Sequence, residues 1–318
     1  MKTEGQVFLW ILIFFFVAGS AFLGYLIYVN LPGSRVQLRG SNLHADSNPL
    51  ILQGGNSSTS IQFYPRMRFQ DRIIAYGVDS GCSDEKMSQV TKAFYLLEDK
   101  TSLRFVLDQS NPQIEVTCSQ VAPPPTDKGH FVAGEGGPYE ILNSSAYAII
   151  LYSKISLYRD ETCSTPHIAT HEILHALGFD HNYNPNSILY PTLDCKQTID
   201  SYLFDELNQL YLEDSLPDLS IVALNGTKSG RYLSFSISVT NRGLKDSPSS
   251  NLSLINDEGS LVKDFELGEI SLGATKTLTV SNLAGPRASS SFEFVVDRTN
   301  FIKELNKSNN YAELIISS

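Results

Sequence analysis

His171-Glu172-Ile173-Leu174-His175-Ala176-Leu177-Gly178-Phe179-Asp180-His181 is the stretch from which the rest of the chain can be read. On a helix, residues four apart lie one above the other on one face, so the imidazoles of His171 and His175 can reach a single ion. Zn–N bonds of ~2.0–2.1 Å require that convergence. Gly178 stands where a left-handed residue would end the helix. The chain can then turn back, and His181 can supply a third nitrogen from outside the helix. Three neutral imidazoles leave a divalent ion one open position for water. Glu172, beside the first of them, is placed to take that water's proton and pass it to a leaving amine.

Helix-start chemistry precedes the stretch. Thr165 and Pro166 predict a capping hydroxyl followed by a proline at the first helical position. Ile168, Ile173, Leu174 and Leu177 are left to pack behind the metal. A bare HExxH arises by chance, and an amphipathic core helix with incidental histidines is the alternative. The full HExxHxxGxxH favours a metal site. His167, His171 and His175 form one stripe, but the outer two are ~12 Å apart along the axis, so one ion cannot hold both. Only His171 and His175 place Glu172 and His181 correctly, which leaves His167 as a supporting residue.

On these residues the chain resembles the metzincin clan of zinc endopeptidases. Ser187-Ile188-Leu189-Tyr190-Pro191 is similar to the Met-turn of its matrixin branch, whose pattern is small-x-Met-Tyr-Pro. The looser similarity spans roughly residues 60–216. It implies Zn2+ as cofactor and a protein or peptide substrate lying as an added strand along a sheet edge. Tyr190 and Pro191 would then wall the pocket for the residue after the scissile bond. Two departures stand out. Leu189 occupies the methionine position, with similar volume, and no cysteine precedes Cys82 to act as the switch of a matrixin pro-segment.

Composition sets the bounds around this centre. The chain has 318 residues and a net charge of −10, which argues against nucleic acid as a partner. Residues 44–216 carry 11 basic and 22 acidic side chains, so the acidity belongs to the middle of the chain. Val7 to Val29 contains no charge and is long enough to cross a ~30 Å bilayer core as a helix. An uncleaved anchor over residues 1–30 is expected, although Ala18-Gly19-Ser20-Ala21 keeps a cleaved signal peptide as the alternative. Residues 31–58, rich in Gly, Ser, Asn and Pro, read as a flexible stalk.

A catalytic domain is expected over residues 59–216. Arg72–Tyr76, Leu103–Leu107 and Ile114–Cys118 read as strands, and Ser83 caps a helix running to Asp99. Pro123-Pro124-Pro125 and Gly134–Pro138 punctuate a long loop, with Gly134–Gly137 as an ordinary turn that can line the cleft. Ala146–Leu151 and Ile155–Tyr158 read as paired strands, and Ile199–Tyr211 as a closing helix. The fold class expected is an α+β metzincin domain, a twisted mixed sheet with a zinc-binding helix, behind a transmembrane helix.

Residues 217–318 change character. Leu233-Ser234-Phe235-Ser236-Ile237-Ser238-Val239-Thr240 alternates apolar and hydroxyl side chains, and short runs recur at Leu219–Leu224, Leu252–Ile255, Thr277–Val280, Phe292–Val296 and Ala312–Ile316. This is the pattern of an Ig-like sandwich. Val239–Gly243, Asp297–Asn300, Glu304 and Asn309-Asn310 resemble CARDB-type modules of prokaryotic surface proteins. A surface partner for this module is the role the resemblance implies; a stability module is the alternative.

The four cysteines, Cys82, Cys118, Cys163 and Cys195, lie in the middle domain and suggest two disulfides in an oxidising compartment. Four cysteines allow three connectivities. Cys163 precedes the zinc helix and Cys195 follows Pro191, so a Cys163–Cys195 bridge would enclose the site, leaving Cys82–Cys118. The expectation is a single-pass cell-membrane protein with its catalytic and C-terminal domains extracellular. A zinc endopeptidase is expected, with Glu172 as base. The competing class is an adhesion protein whose zinc site is structural or inactive.

Overall fold

The computed structural model describes residues 35–37, 61–124, 131–144 and 146–316. The proposed anchor and most of the stalk lie outside them. Among the described residues no helix is long and apolar enough to cross a membrane. The chain divides into two compact units, one ending at Ser215 and the other beginning at Leu216.

Among the described residues, the first unit is a mixed sheet with three helices. Its strands are β1 (Arg35–Gln37), β2 (Met67–Phe69), β3 (Ile73–Val78), β4 (Arg104–Leu107), β5 (Ile114–Cys118), β6 (Gly134–Asn143) and β7 (Ala148–Leu157). They lie in the order β1-β6-β7-β5-β3-β4, with β2 also paired to β7. β3 runs parallel to β4 and β5, and β5 parallel to β7, whereas β6 is antiparallel to both β7 and β1. The helices are α1 (Asp84–Lys100), α2 (His167–Ala176) and α3 (Ser201–Leu210). Ser83 caps α1 as expected, its hydroxyl accepting from Lys86 N at 3.3 Å. Val90, Ala93, Phe94 and Leu97 of α1 share one core with Ile114 and Val116 of β5 and Ile173 and Leu174 of α2.

Two sequence expectations need correction. Gly134–Gly137 is not a turn in a long loop but the start of strand β6. Its glycines are there because α2 lies against it: a Cβ on Gly136 would come within 2.3 Å of the backbone O of Glu172. Ala146–Leu151 and Ile155–Tyr158 are not a pair but parts of one strand, β7, whose partner is β6. The polar middle of β7 stays in the sheet because its side chains are satisfied. Ser153 is fully buried and its hydroxyl donates to Ala176 O at 2.7 Å, while Lys154 Nζ lies 4.1 Å from the Tyr139 ring centre.

Strand β2 and the end of α3 are joined by Arg68, a buried cation. Its guanidinium donates to the carbonyls of Leu210, Phe69 (2.9 Å) and Gln70 (3.0 Å) and sits 4.3 Å from the Tyr211 ring centre. The disulfides are Cys82–Cys118 and Cys163–Cys195. The first ties the start of α1 to the end of β5. The second joins the approach to α2 with the segment before α3.

The second unit is an all-β sandwich of β8 (Leu219–Ser229), β9 (Tyr232–Asn241), β10 (Ser247–Asn256), β11 (Leu261–Ile270), β12 (Thr275–Ala284), β13 (Ser291–Val296) and β14 (Tyr311–Ile315). The sheet β11-β10-β13-β14 faces the sheet β12-β9-β8. Phe235, Ile237, Leu252, Leu254, Phe292 and Phe294 fill the space between. The alternation read in β9 is the observed one, and the hydroxyls of its outer face pair across to β12, Ser238 with Thr277 at 2.8 Å and Thr240 with Thr275 at 2.7 Å. Buried Asn241 closes one end: its amide donates to the carbonyls of Lys245 and Ile270 and its oxygen accepts from Asp218 N and Gly243 N.

Candidate active site

Helix α2 starts one residue later than its sequence suggests. Pro166 is the cap residue and not the first helical one, and Thr165 meets the helix backbone through its carbonyl, which accepts from His167 N at 2.8 Å. The Thr165 hydroxyl lies instead 2.8 Å from His167 Nδ1. Glu161 takes over the capping, its carboxylate accepting from Ile168 N at 2.9 Å and Cys163 N at 2.8 Å. That role was not legible in the sequence, because Glu161 is too far ahead of the helix for a capping box. His167 is buried, with Nε2 3.0 Å from Gln197 O. It holds the segment before α3 and stays apart from the other three histidines.

The helix ends at Gly178, whose φ of +99° only glycine adopts readily. Any Cβ there would also meet Met67 Cγ at 2.7 Å. After this turn Phe179 O faces back and accepts from His175 Nδ1 at 2.7 Å, and His171 Nδ1 donates to Ile188 O at 2.6 Å. A carbonyl can only accept, so the proton of each neutral ring sits on Nδ1 and the Nε2 lone pairs are free. Burial keeps both rings neutral, pushing His171 down to about 4 and His175 well below its ordinary value.

His171 and His175 from the helix and His181 from beyond the turn converge on one point. The Nε2–Nε2 separations are 2.9 Å (His171–His175), 3.2 Å (His175–His181) and 3.3 Å (His171–His181). With protons on Nδ1, the His171–His175 contact brings lone pair against lone pair, an arrangement a cation resolves. Tetrahedral nitrogens at ~2.05 Å from zinc stand ~3.3 Å apart, so the donor set fits that ion.

Glu172 lies between the first two histidines and is buried. Its carboxyl is pushed up to about 8, first by burial and then by the charge of Glu135. Glu135 itself accepts from the Tyr158 hydroxyl at 2.6 Å. Gly134 leaves room for the Glu172 side chain, since a Cβ there would come within 2.8 Å of its Oε1. Glu135 was not legible in the sequence, and Gly134 and Gly136 read there as a turn; their two-residue spacing, which puts both on the strand face towards α2, was the signal.

The Ser187–Tyr190 segment forms a tight turn closed by Tyr190 N donating to Ser187 O at 3.1 Å. Leu189 is fully buried in the same core as Ile173, Leu174 and Leu177, and its carbonyl accepts from Asn182 N at 3.0 Å. Tyr190 is half-buried and Pro191 exposed.

A helix bearing two converging imidazoles, a third beyond a glycine turn, and a buried carboxyl between the first two define the centre of a zinc metallopeptidase. Residues 69–211 match the family described as Matrixin, and residues 216–314 match CARDB. Over those two stretches the chain is similar to a matrixin domain and a CARDB module, and the first makes it a zinc metalloendopeptidase. No curated protein matches it. Solved structures similar to parts of it include high choriolytic enzyme 1, a hatching-enzyme zinc protease of Oryzias latipes (15% identity over 45% of this chain and 90% of that one, TM-score 0.30). Another is myroilysin (12% identity, 46% and 86%, TM-score 0.33). The CARDB domain of a Pyrococcus furiosus protein, solved with two metal ions, is 21% identical over 32% of this chain and 90% of that one, with a TM-score of 0.28.

Proposed function

We propose that this zinc metalloprotease is an endopeptidase tethered to the cell membrane by residues 1–30, with its catalytic domain and CARDB module outside. The observation that carries the catalytic reading is the convergence of three histidine Nε2 atoms beside a buried carboxyl. His171, His175 and His181 would hold the ion. Zinc, when bound, polarises a water and the scissile carbonyl and, by its charge, favours the carboxylate form of Glu172. Glu172 accepts the proton of the attacking water and returns it to the leaving amine. The Ile188 and Phe179 carbonyls keep the His171 and His175 rings in the tautomer and orientation that ligation requires. Tyr190 and Pro191 flank the position of the residue after the scissile bond.

The charge-free run Val7–Val29 supports the anchor, and the two disulfides support an oxidising compartment. The CARDB module supports contact with a surface partner. The test is to incubate the purified full-length chain with a diverse peptide library, with chelator, without it, and after zinc is restored. Internal cleavage that chelator abolishes and zinc restores is expected. Absence of cleavage by fully zinc-loaded protein would favour the adhesion reading.

A further inference from the structure

Asp200 stands at the N-cap of α3, where an aspartate ordinarily accepts from the helix's own amides, and its side chain makes no such bond. Both of its oxygens are turned towards the loop that follows His181. Oδ2 accepts from the Ser187 hydroxyl, and Oδ1 accepts from Asn184 Nδ2 at 3.1 Å. Ser187 is fully buried, and its Oγ also accepts from Asn182 Nδ2 at 2.6 Å and from Leu189 N at 3.1 Å. Asn182, itself buried, donates further to the Tyr202 hydroxyl at 3.1 Å.

The two residues this network grips are sequence neighbours of the metal site. Asn182 directly follows His181. Ser187 directly precedes Ile188, whose carbonyl orients His171. One buried hydroxyl therefore couples the position of the third histidine to the acceptor that sets the first, and a carboxylate fixes that hydroxyl's rotamer. The bonds to Asp200 are charge-assisted, the stronger kind. A local rule is broken here, since a helix goes uncapped by its own cap residue, and such breaks mark functional positions.

We infer that Asp200 and Ser187 form a clasp that positions the zinc ligands, with Asn182 as its link to His181. The inference rests on the zinc-site reading above. Both are positioning residues and touch neither the ion nor the substrate. The clasp also bears on Leu189: the turn is held by hydrogen bonds to the Ser187 hydroxyl and needs no methionine beneath the histidines.

The experiment measures the zinc dissociation constant of the full-length chain by chelator competition, with peptidase kcat and KM, for wild type, Asp200→Ser, Ser187→Ala and the double variant. Serine is an equally good N-cap, so Asp200→Ser keeps helix capping available while removing the clasp. Partners that orient metal ligands typically carry 10–100-fold in metal affinity, and a loss of that size is expected in each single variant. kcat should fall at unchanged KM, and the double variant should be no worse than either single one. Wild-type zinc affinity in Asp200→Ser, or losses that multiply in the double variant, would overturn the clasp. Failure of the wild-type chain to bind zinc would instead refute the site itself. If a variant does not fold, Asp200→Asn replaces it; it retains one oxygen acceptor and should show the smaller loss.

Discussion

Glu172 and the histidines beside it are buried titratable groups pushed in opposite senses, and this gives the metal-free protein a distinctive response to pH. Glu172, raised to about 8 from an ordinary 4.5, binds its proton more tightly in the native state than in the unfolded chain. Its contribution is therefore fully present below pH 4.5 and is lost as pH rises through 8. His171, lowered to about 4 from 6.5, does the reverse: its contribution is present above 6.5 and is lost as pH falls through 4. Glu172→Gln removes only the first. In zinc-free protein the variant should be more stable than wild type by a margin that widens from pH 5 to pH 8, reaching on the order of a few kcal/mol. Thermal unfolding across that range checks it; a margin independent of pH would show that burial of this carboxyl is not costly. At this scale the sequence was informative. The spacing of His171, His175, Gly178 and His181 is itself a statement of geometry. Glu135 and Asp200 were not legible, because each acts through a contact between segments distant in sequence, and no local pattern records such a contact.

Among the elements, β6 is one whose sequence misled, as β7 is another. Glycines and a proline in Gly134–Pro138 read as a turn, since those residues weaken strands when packing is ignored. Tertiary contact decided otherwise: the strand needs glycine to let α2 approach. Gly136→Ala should cost about 1–3 kcal/mol or more and lower zinc affinity, because the clashing atom is the backbone of Glu172. Gly137 has open space at its Cβ position, so Gly137→Ala should lie within about 0.5 kcal/mol of wild type. Equal effects from the two substitutions, read by denaturant unfolding, would contradict this account of β6. The Cys163–Cys195 bridge, 32 residues apart, belongs to the same scale. Its reduction should remove about 3–4 kcal/mol by the chain-entropy argument and weaken zinc binding, because α2 and the segment before α3 share the site. Unchanged zinc affinity on reduction would mean that the hydrogen bonds of that loop hold it alone. The helices α1 and α3 were legible from apolar spacing. Strand β11 was not, since only two of its 10 residues are buried and they give little alternation to read.

For the molecule as a whole, a matrixin-like domain and a CARDB-like module stand in one chain behind a proposed membrane tether. The domain order was readable because the character of the sequence changes near residue 217, from mixed periodicities to the two-residue alternation of β9. The proposed orientation rests on the disulfides and the peptidase class, against flanking charges that weakly favour the opposite one, since Arg35 and Arg39 follow Val7–Val29 and only Lys2 and the terminal amine precede it. Protease shaving of intact cells should therefore release fragments from residues 61–316, as it does from a known surface control. Protection of that region with the control cut would place it inside.

In the proposed mechanism the three histidines hold zinc while Glu172 handles the proton. The most direct measurement is zinc content and peptide turnover, taken together, in full-length Glu172→Gln. One zinc per chain is expected, as in wild type, because the ligands are untouched, with turnover reduced by about 10²-fold or more. Near-normal turnover by that variant, with contaminating protease excluded, would contradict the mechanism.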